Sequence, residues 1–417
     1  MTKSLFAVKT PKQVIKTLKR HLDVKEIINR NREMVNLKHS LHRILAEKII
    51  VLYNLPGFTR STMDGYAIKA EDSFGVSDSL PSYLKIMGEI KMGDRPEFII
   101  NSGETVKIST GGMLPDGANA VIMLEYTFQI DDCIVEIRKS VAPGTNIIYE
   151  NEDLKEGECL FEVGHKLKPQ DVGVLAGIGK TEVEVFKKPK IAIISTGNEI
   201  ISAYNTPEEG EIRDINSYTL GACVEEAGGI PLYKGIIKDE ERLLEKEIKD
   251  VIEKDKAEIV VISGGSSVGI RDITLSAINR LEGSKILVHG VSVKPGKPTI
   301  IAVTKNTPIF GLPGNPVSAI VIFKVFVQPL VSWLQGIKNY NISKEIEAEL
   351  DCNIASDSGR EDYIGVFLYK KRKKLLAKPI FGKSGLLSTM VRASGLIKIE
   401  LNKEGLEKGS KVIVQLF

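Results

Sequence analysis

The sequence predicts a multidomain α/β and β protein built around a doubly wound, mostly parallel α/β domain. Three observations lead to this class. A chain of 417 residues exceeds one compact domain, so three or four domains are expected. Patterns typical of buried strands and of helices alternate after Lys190. Short alternating runs dominate residues 51–149 and the region after about residue 340, which predicts β structure there.

The predicted domains follow one another with one insertion. Residues 1–50 show helical spacing and combine with the strand-and-turn segment 150–186 into a helical and linker domain. Residues 51–149 form a β-rich domain inserted into it. Residues 187–337 form the α/β domain, and residues 338–417 form a small C-terminal β-barrel or sandwich, of which we favour the barrel.

Individual elements follow from periodicity. In residues 12–50, two apolar stripes at helical spacing predict helices: Val14, Ile15, Leu18 and Leu22, then Leu37, Leu41, Ile44 and Leu45. In the α/β domain, five runs predict strands: KIAIIST, PLYKGII, EIVVIS, TIIAV and TPIFG. Four runs predict helices: SYTLGACVEEAGG, DEERLLEKEIKDVIEK, ITLSAINRLEG and PVSAIVIFKVFVQPLVSWL.

Composition excludes several classes of protein. The net charge of +3 is too small to imply a nucleic-acid or membrane partner. The longest apolar stretch, 319–334, is interrupted by Lys324, Gln328 and Pro329 and is shorter than a membrane span, and the N-terminus lacks the apolar core of a signal peptide. The four cysteines are scattered without a CxxC pair, which predicts a cytoplasmic protein with neither zinc site nor disulfides.

Three glycine-rich turns are the most informative feature. They read SGGSSVGIRD (263–272), KPGKP (294–298) and GLPGNP (311–316), and each borders an apolar run. Backbone N–H groups freed by Gly264, Gly265 and Gly269, together with the next helix N-terminus, favour a phosphate. A single such turn is as often a tight connection between elements as it is a ligand-binding loop. Three such turns in one sheet weaken the first alternative.

Charged residues lie in or near these turns. Glu199, Asp239 and Asp272 fall at or just beyond strand ends, and carboxylates beside a phosphate imply a cation between them, which we expect to be Mg²⁺. For Asp239, helix capping and metal binding remain equally open. For Asp272, its position in the SGGSSVGIRD turn favours a functional role. Lys294 and Lys297 flank Pro-Gly and suit an oxyanion, with a solvated surface pair as the alternative.

These motifs resemble the molybdopterin molybdenumtransferase family, whose animal relative is the E domain of gephyrin. STGNE (195–199) accompanies the three turns, STMDGYA (61–67) and ISTGGMLPDGANAVIMLE (108–125) match in the β-rich region, and KSGLLSTM (383–390) matches near the C-terminus. The resemblance spans nearly the whole chain in order. It implies an α/β domain of the molybdopterin-binding type.

The resemblance also implies a reaction. Such proteins are homodimers that insert molybdate or tungstate into adenylylated molybdopterin and release AMP with the help of Mg²⁺. The β-rich domain of the partner subunit closes the cleft, and the adenylyltransferase that makes the substrate is a further candidate partner. Two alternatives are an adenylyltransferase itself and a non-catalytic scaffold, but DGYA and the C-terminal β region argue against the first, and intact cleft residues against the second.

The family's site residues fall on specific positions. The predicted catalytic residues are Asp64, Asp239, Asp272, Lys294 and Lys297. The predicted substrate-binding residues are Thr110, Asp153, Glu199, Gly264, Gly265, Ser267, Gly269, Pro313, Pro316 and Ser384, and the predicted metal ligands are Glu199, Asp239 and Asp272. Lysine and hydroxyl donors such as Lys294, Lys297 and Ser384 suit a tetrahedral dianion. Two family arginines are missing, at Ile148 and Gly365, although Arg360 is close to the second.

Overall fold

The computed structural model describes residues 8–23, 26, 31–264, 268–337 and 344–417, without the side chains of 268–272. It divides into two compact units, one of Met1–Glu33 with Phe186–Phe417 and one of Met34–Val185. The finer division into four domains stays a prediction. Each unit is described in turn along the chain.

The first helix, α1 (Pro11–His21), begins with a capping box in which Thr10 and Gln13 satisfy each other's backbone N–H groups. Its apolar stripe, Val14, Leu18 and the following Leu22, packs in the core of the α/β sheet. The first predicted helical stripe is therefore confirmed as a helix.

The second predicted stripe is wrong. Strand β1 (Arg32–Asn36) leads into a single 3₁₀ turn at Leu37–His39, and no helix follows in the described residues 40–50. Leu45 instead bridges to Val185 as an isolated β-pair and packs beside Leu37 in a shared apolar cluster. Pairing with a distant strand overrides the local 3.6-residue periodicity here.

The unit Met34–Val185 contains the β structure predicted for residues 51–149. Its six-stranded mixed sheet runs β7-β4-β6-β5-β9-β8, with β5 and β6 parallel and the other pairs antiparallel. These strands are β4 (Gly65–Ile68), β5 (Ser82–Ile90), β6 (Glu104–Ile108), β7 (Ala120–Met123), β8 (Thr127–Gln129) and β9 (Ile134–Ile137). The smaller elements are β2 (Ile49–Ile50), β3 (Arg60–Ser61), β10 (Ile147–Ile148), β11 (Cys159–Phe161), α2 (Pro169–Gly177) and β12 (Glu182–Phe186).

The α/β sheet has the order β16-β13-β17-β21-β20-β18, in which only β20 runs antiparallel. Its strands are β13 (Lys190–Thr196), β16 (Ile230–Ile237), β17 (Ile259–Gly264), β18 (Lys285–His289), β20 (Ile300–Thr304) and β21 (Thr307–Leu312). Short strands β14 (Ile200–Ile201), β15 (Ile212–Arg213) and β19 (Val293–Lys294) lie between them. The predicted mostly parallel sheet is confirmed.

Helices cover both faces of this sheet. The helices are α3 (Asn216–Glu226), α4 (Glu241–Glu253), α5 (Val268–Arg280), α6 (Pro316–Ile322) and α7 (Gln328–Leu334). One face packs against α1, α3, α6 and α7, and the other against α4 and α5. A π-helical turn, Phe323–Val327, joins α6 to α7. The helical run Pro316–Leu334 is long and apolar enough to cross a membrane, but 83% of it is buried, which is typical of a core helix.

The C-terminal region forms a closed barrel, as predicted. Five strands pair in the ring β24-β25-β22-β28-β26, and β26 closes it by pairing with β24. These strands are β22 (Glu345–Leu350), β24 (Glu361–Lys371), β25 (Lys374–Pro379), β26 (Gly395–Ile399) and β28 (Lys411–Leu416). Strands β23 (Ile354–Ala355) and β27 (Gly405–Leu406) form a separate pair, and α8 (Ser388–Val391) precedes β26.

Candidate functional site

The strands that lead into STGNE, SGGSSVG and GLPGNP end at the carboxyl edge of the α/β sheet. Thr196 at the end of β13 is in register with Ile237 of β16 on one side and with Gly264 of β17 on the other. Ser263 is in register with Leu312 at the end of β21. The chain therefore leaves four neighbouring strands at one edge, where open α/β sheets bind ligands.

Two of the predicted acids lie together at this edge. The Asp239 backbone N–H donates to Asn198 Oδ1 at 3.2 Å, and the Asn198 backbone N–H donates to Asp239 Oδ2 at 3.4 Å. Burial raises the pKa of Asp239, the Asn198 N–H opposes that rise, and the negative charge of Glu199 adds to it. Asp239 and Glu199 thus form a pair of neighbouring carboxylates that repel each other.

The Asp239 carboxylate fits a cation. Its Oδ1 atom is buried and has no hydrogen-bond partner among the described residues. A buried unpaired carboxylate oxygen is costly, and a divalent cation removes that cost. The described side chains contain no group of three His, Cys, Asp or Glu residues placed to hold a metal, but the side chain of Asp272, the third predicted ligand, lies outside them.

The KPGKP turn is fixed by close packing. Gly296 has a φ of +133°, and a Cβ there would lie 2.4 Å from Ile322 Cδ1, so only glycine fits. The Lys297 carbonyl accepts hydrogen bonds from the backbone N–H groups of Val291 and Thr299, both at 3.0 Å. The Lys297 side chain is exposed, whereas Lys294 is half-buried.

Lys294 and Ser384 line one cavity of about 440 Å³, named here the Lys294–Ser384 cavity. The Ser384 hydroxyl accepts a hydrogen bond from Asn315 Nδ2 at 3.0 Å, and its carbonyl accepts one from the Val317 N–H at 3.2 Å. These bonds anchor the C-terminal segment on the GLPGNP turn. Pro313 is buried in that turn and Pro316 is the first residue of α6.

Two aspartates hold Lys294. Its Nζ lies 3.3 Å from Asp362 Oδ2 and 3.3 Å from Asp357 Oδ2. Burial alone would lower the pKa of Lys294, but the carboxylates of Asp362 and Asp357 outweigh burial and raise it. Lys294 is therefore a fully charged cation at neutral pH. The sequence interpretation missed both aspartates.

The second unit contains its own cluster of predicted residues. Asp64 Oδ1 accepts a hydrogen bond from the Thr110 backbone N–H at 2.7 Å. Directly after Asp64, a Cβ on Gly65 would lie 2.0 Å from the Ile122 carbonyl oxygen, so the DGYA strand needs glycine for this close approach. The DGYA and STGG motifs are therefore one local structure that presents an exposed carboxylate.

The structure says less about the roles of the remaining predicted site residues. The Asp153 side chain is exposed, and its backbone N–H donates to the Leu55 carbonyl at 3.1 Å. Gly264 ends β17, and Gly265 and Ser267 lie outside the described residues. Gly269 and Asp272 lie at the start of α5, at positions where only the backbone is described.

A further cavity, of about 490 Å³, was missed by the sequence interpretation. Tyr204, Tyr218 and Tyr233 line it together with Asp214 and Ser217. Asp214 accepts hydrogen bonds from the Ser217 N–H at 3.1 Å and from the Ser217 hydroxyl at 2.6 Å, which fixes the start of α3. The signal was RDINSY (213–218), which places polar and aromatic residues between a strand and a helix.

Beside this cavity, Asn216 ties three motifs together. Its Nδ2 donates to Ser263 Oγ at 2.7 Å and to the Gly314 carbonyl at 2.7 Å. Asn216 thereby links α3 to the end of β17 and to the GLPGNP turn. At this edge the unpaired Oδ1 of Asp239 has the chemistry of a cation ligand.

Comparisons with known proteins agree along the chain. Family models match in three consecutive stretches: "MoeA N-terminal region (domain I and II)" at residues 10–179, "Probable molybdopterin binding domain" at 192–333, and "MoeA C-terminal region (domain IV)" at 347–417. The molybdopterin molybdenumtransferase of Haemophilus influenzae is 32% identical over 92% of this chain and 94% of its own length. That of Bacillus subtilis is 33% identical over 92% and 89%. The crystal structure of the molybdopterin biosynthesis MoeA protein of Pyrococcus horikoshii covers 98% of this chain and 100% of its own, with 31% identity and a TM-score of 0.82.

Proposed function

The chain belongs to the MoeA family of molybdopterin molybdenumtransferases, transferases of molybdenum cofactor biosynthesis, and we propose that it inserts molybdate or tungstate into adenylylated molybdopterin with release of AMP. The observation that carries this proposal is the Lys294–Ser384 cavity, which a charged lysine and a serine both line. Both groups donate hydrogen bonds to an oxyanion.

The oxyanion site is built from two distant parts of the chain. Lys294 comes from the KPGKP turn, whose path is fixed by Gly296, and Ser384 comes from the segment anchored on Asn315. Lys297 follows the same turn with an exposed side chain and is the second cation proposed for the oxyanion. Donors held on fixed backbone need little rearrangement when the dianion binds.

The adenylylated substrate is proposed to bind along the carboxyl edge of the α/β sheet. Its pyrophosphate would lie beyond the carboxyl end of β17, next to the N-terminus of α5. Glu199, Asp239 and Asp272 would hold Mg²⁺, and the unpaired Oδ1 of Asp239 supports this assignment. The ion would neutralise charge on the pyrophosphate and on AMP as it leaves.

The protein groups need to bind, orient and neutralise rather than react covalently. Asp64, with its carboxylate held by the Thr110 N–H, is proposed to act from the β-rich unit of a partner subunit in a cytoplasmic homodimer. No side chain is assigned as a covalent nucleophile, because positioning and charge neutralisation supply most of the acceleration for such a transfer. The adenylyltransferase that supplies the substrate is a proposed partner.

The test is release of AMP from purified adenylylated molybdopterin, measured with and without molybdate, tungstate and Mg²⁺. We expect release to require one of the two oxyanions and a divalent cation. Lys294→Met should reduce molybdate-dependent release more than a hundredfold, since the oxyanion loses its half-buried cation. Oxyanion-independent release at the full rate would contradict the proposal.

A further inference from the structure

Asp357 has a position unlike that of the other acid beside Lys294. Asp362 is 4% exposed, accepts a hydrogen bond from the Ser356 hydroxyl at 2.8 Å, and is in register with Lys294 across β19 and β24. The Asp357 side chain is 69% exposed and lies in the turn between β23 and β24. Asp362 is therefore a fixed partner of Lys294, whereas Asp357 can leave.

The same oxygen of Asp357 contacts two cations. Its Oδ2 lies 3.3 Å from Lys294 Nζ and 3.7 Å from the terminal guanidinium nitrogen Nη2 of Arg360. One carboxylate oxygen thus lies between a lysine and an arginine next to the Lys294–Ser384 cavity. A molybdate or tungstate oxygen would make the same two contacts.

We propose that Asp357 is an intramolecular competitor for the oxyanion, whose carboxylate occupies Lys294 and Arg360 until molybdate or tungstate displaces it. This inference rests on the proposed function, because it takes the Lys294–Ser384 cavity as the oxyanion site. It makes Asp357 a residue that sets oxyanion affinity without touching the bound ion. It also gives Arg360 a role, because its guanidinium would replace the family arginine that this chain lacks at Gly365.

Charge explains why the exchange is needed. Lys294 and Asp362 neutralise each other, and so do Arg360 and Asp357, so the four groups carry no net charge. A dianion entering beside an ionised Asp357 is repelled by it. When Asp357 turns toward solvent, the dianion meets the N–H groups of Lys294 that Asp362 does not engage and the guanidinium of Arg360. An exposed ion pair is readily given up for such an exchange.

The experiment is equilibrium dialysis of molybdate against the full-length protein, with the bound metal quantified by mass spectrometry. Asp357→Asn and Asp357→Ala are compared with wild type at low and high salt, and melting temperatures check that each variant is folded. Glu347→Gln is the matched control, because it also removes one negative charge from the barrel but pairs with Lys411. Lys294→Met tests the oxyanion site itself.

We expect both Asp357 variants to bind molybdate about fivefold to tenfold more tightly than wild type at low salt. The gain should shrink to about twofold at 0.5 M salt, and Glu347→Gln should bind like wild type. Binding by both Asp357 variants that equals or falls below wild type, while Lys294→Met abolishes binding, would overturn the competitor role and leave the oxyanion site intact. Wild-type affinity in Lys294→Met would overturn the oxyanion site, and with it the inference.

Discussion

Asp239→Asn should change stability in opposite directions without and with Mg²⁺. Without metal, the ionised Asp239 is half-buried and close to Glu199, and its buried Oδ1 atom is unpaired, so its charge destabilises the fold. Asparagine removes the charge at nearly the same shape. We expect stabilisation by about 1 kcal/mol, which corresponds to about 2–4 °C in melting temperature for a unit of this size.

Mg²⁺ should reverse the order of stability of wild type and Asp239→Asn. At a Mg²⁺ concentration 100-fold above its Kd, wild type gains about 2.7 kcal/mol, or roughly 5–10 °C. If loss of one carboxylate weakens binding 100-fold, the variant gains only about 0.4 kcal/mol. The variant should therefore melt above wild type in EDTA and below it in Mg²⁺.

The raised pKa of Asp239 also predicts how the stability difference between wild type and Asp239→Asn depends on pH in the absence of metal. Because the folded-state pKa of Asp239 is raised above the ordinary value of 3.8, stability is lost as pH rises through the folded-state pKa. The advantage of Asp239→Asn should therefore grow from acid to neutral pH. Since Asp239→Asn stays neutral, it should lack this part of the pH dependence.

The assay is scanning calorimetry in EDTA and in Mg²⁺ at equal ionic strength. Asp250→Asn is the control, because this acid lies on α4 of the same unit and pairs with Lys254 at 2.9 Å. Its Mg²⁺-induced shift should match that of wild type. An equal Mg²⁺-induced shift in Asp239→Asn, or its destabilisation in EDTA, would refute the reasoning.

Three other predictions concern positions fixed by packing or hydrogen bonds. Gly65→Ala should lower the melting temperature of its unit by at least 5 °C, because the added Cβ would lie 2.0 Å from a backbone carbonyl oxygen. The control, Gly173→Ala, should raise the melting temperature slightly, because no heavy atom lies within 4 Å of the added Cβ. Burial raises the pKa of Asp171, but hydrogen bonds from His165 and from a backbone N–H outweigh burial and lower it below the ordinary value of 3.8. Asp171→Asn should therefore cost about 1–3 kcal/mol at pH 7 in urea unfolding. The difference should shrink as pH falls from 3.8 through the lowered folded-state pKa, where the wild-type carboxyl protonates. Ser384→Ala should raise the molybdate Kd about tenfold in dialysis, whereas an unchanged Kd would remove the hydroxyl from the site.

Much of the fold was predictable because its signals are local. The strands of the α/β sheet are buried on both faces and read as continuous apolar runs, as in KIAIIST of β13. The failure at residues 37–45 has the opposite cause, since Leu45 is fixed by pairing with Val185, far away in sequence. Periodicity alone does not report such a partner.

Some residues of the candidate site were likewise predictable from local sequence motifs, and others were not. Asp64 and Thr110 were identified from motifs, and the structure joins them by one hydrogen bond. Asp362 was missed because its relation to Lys294 arises from the register between β19 and β24, whose residues are 68 positions apart, as 362 minus 294. Asp357 was missed because a polar turn residue has no periodic signal and takes its meaning only from the cations that it contacts.

The most direct test of the central claim is a molybdate titration of AMP release by the full-length protein. Adenylylated molybdopterin is supplied with Mg²⁺ and increasing molybdate, and AMP release is followed in wild type and Lys294→Met. The account predicts saturable, molybdate-dependent release in wild type that is suppressed more than a hundredfold in the variant. Equal molybdate dependence in the two proteins would contradict the assignment of the Lys294–Ser384 cavity as the oxyanion site.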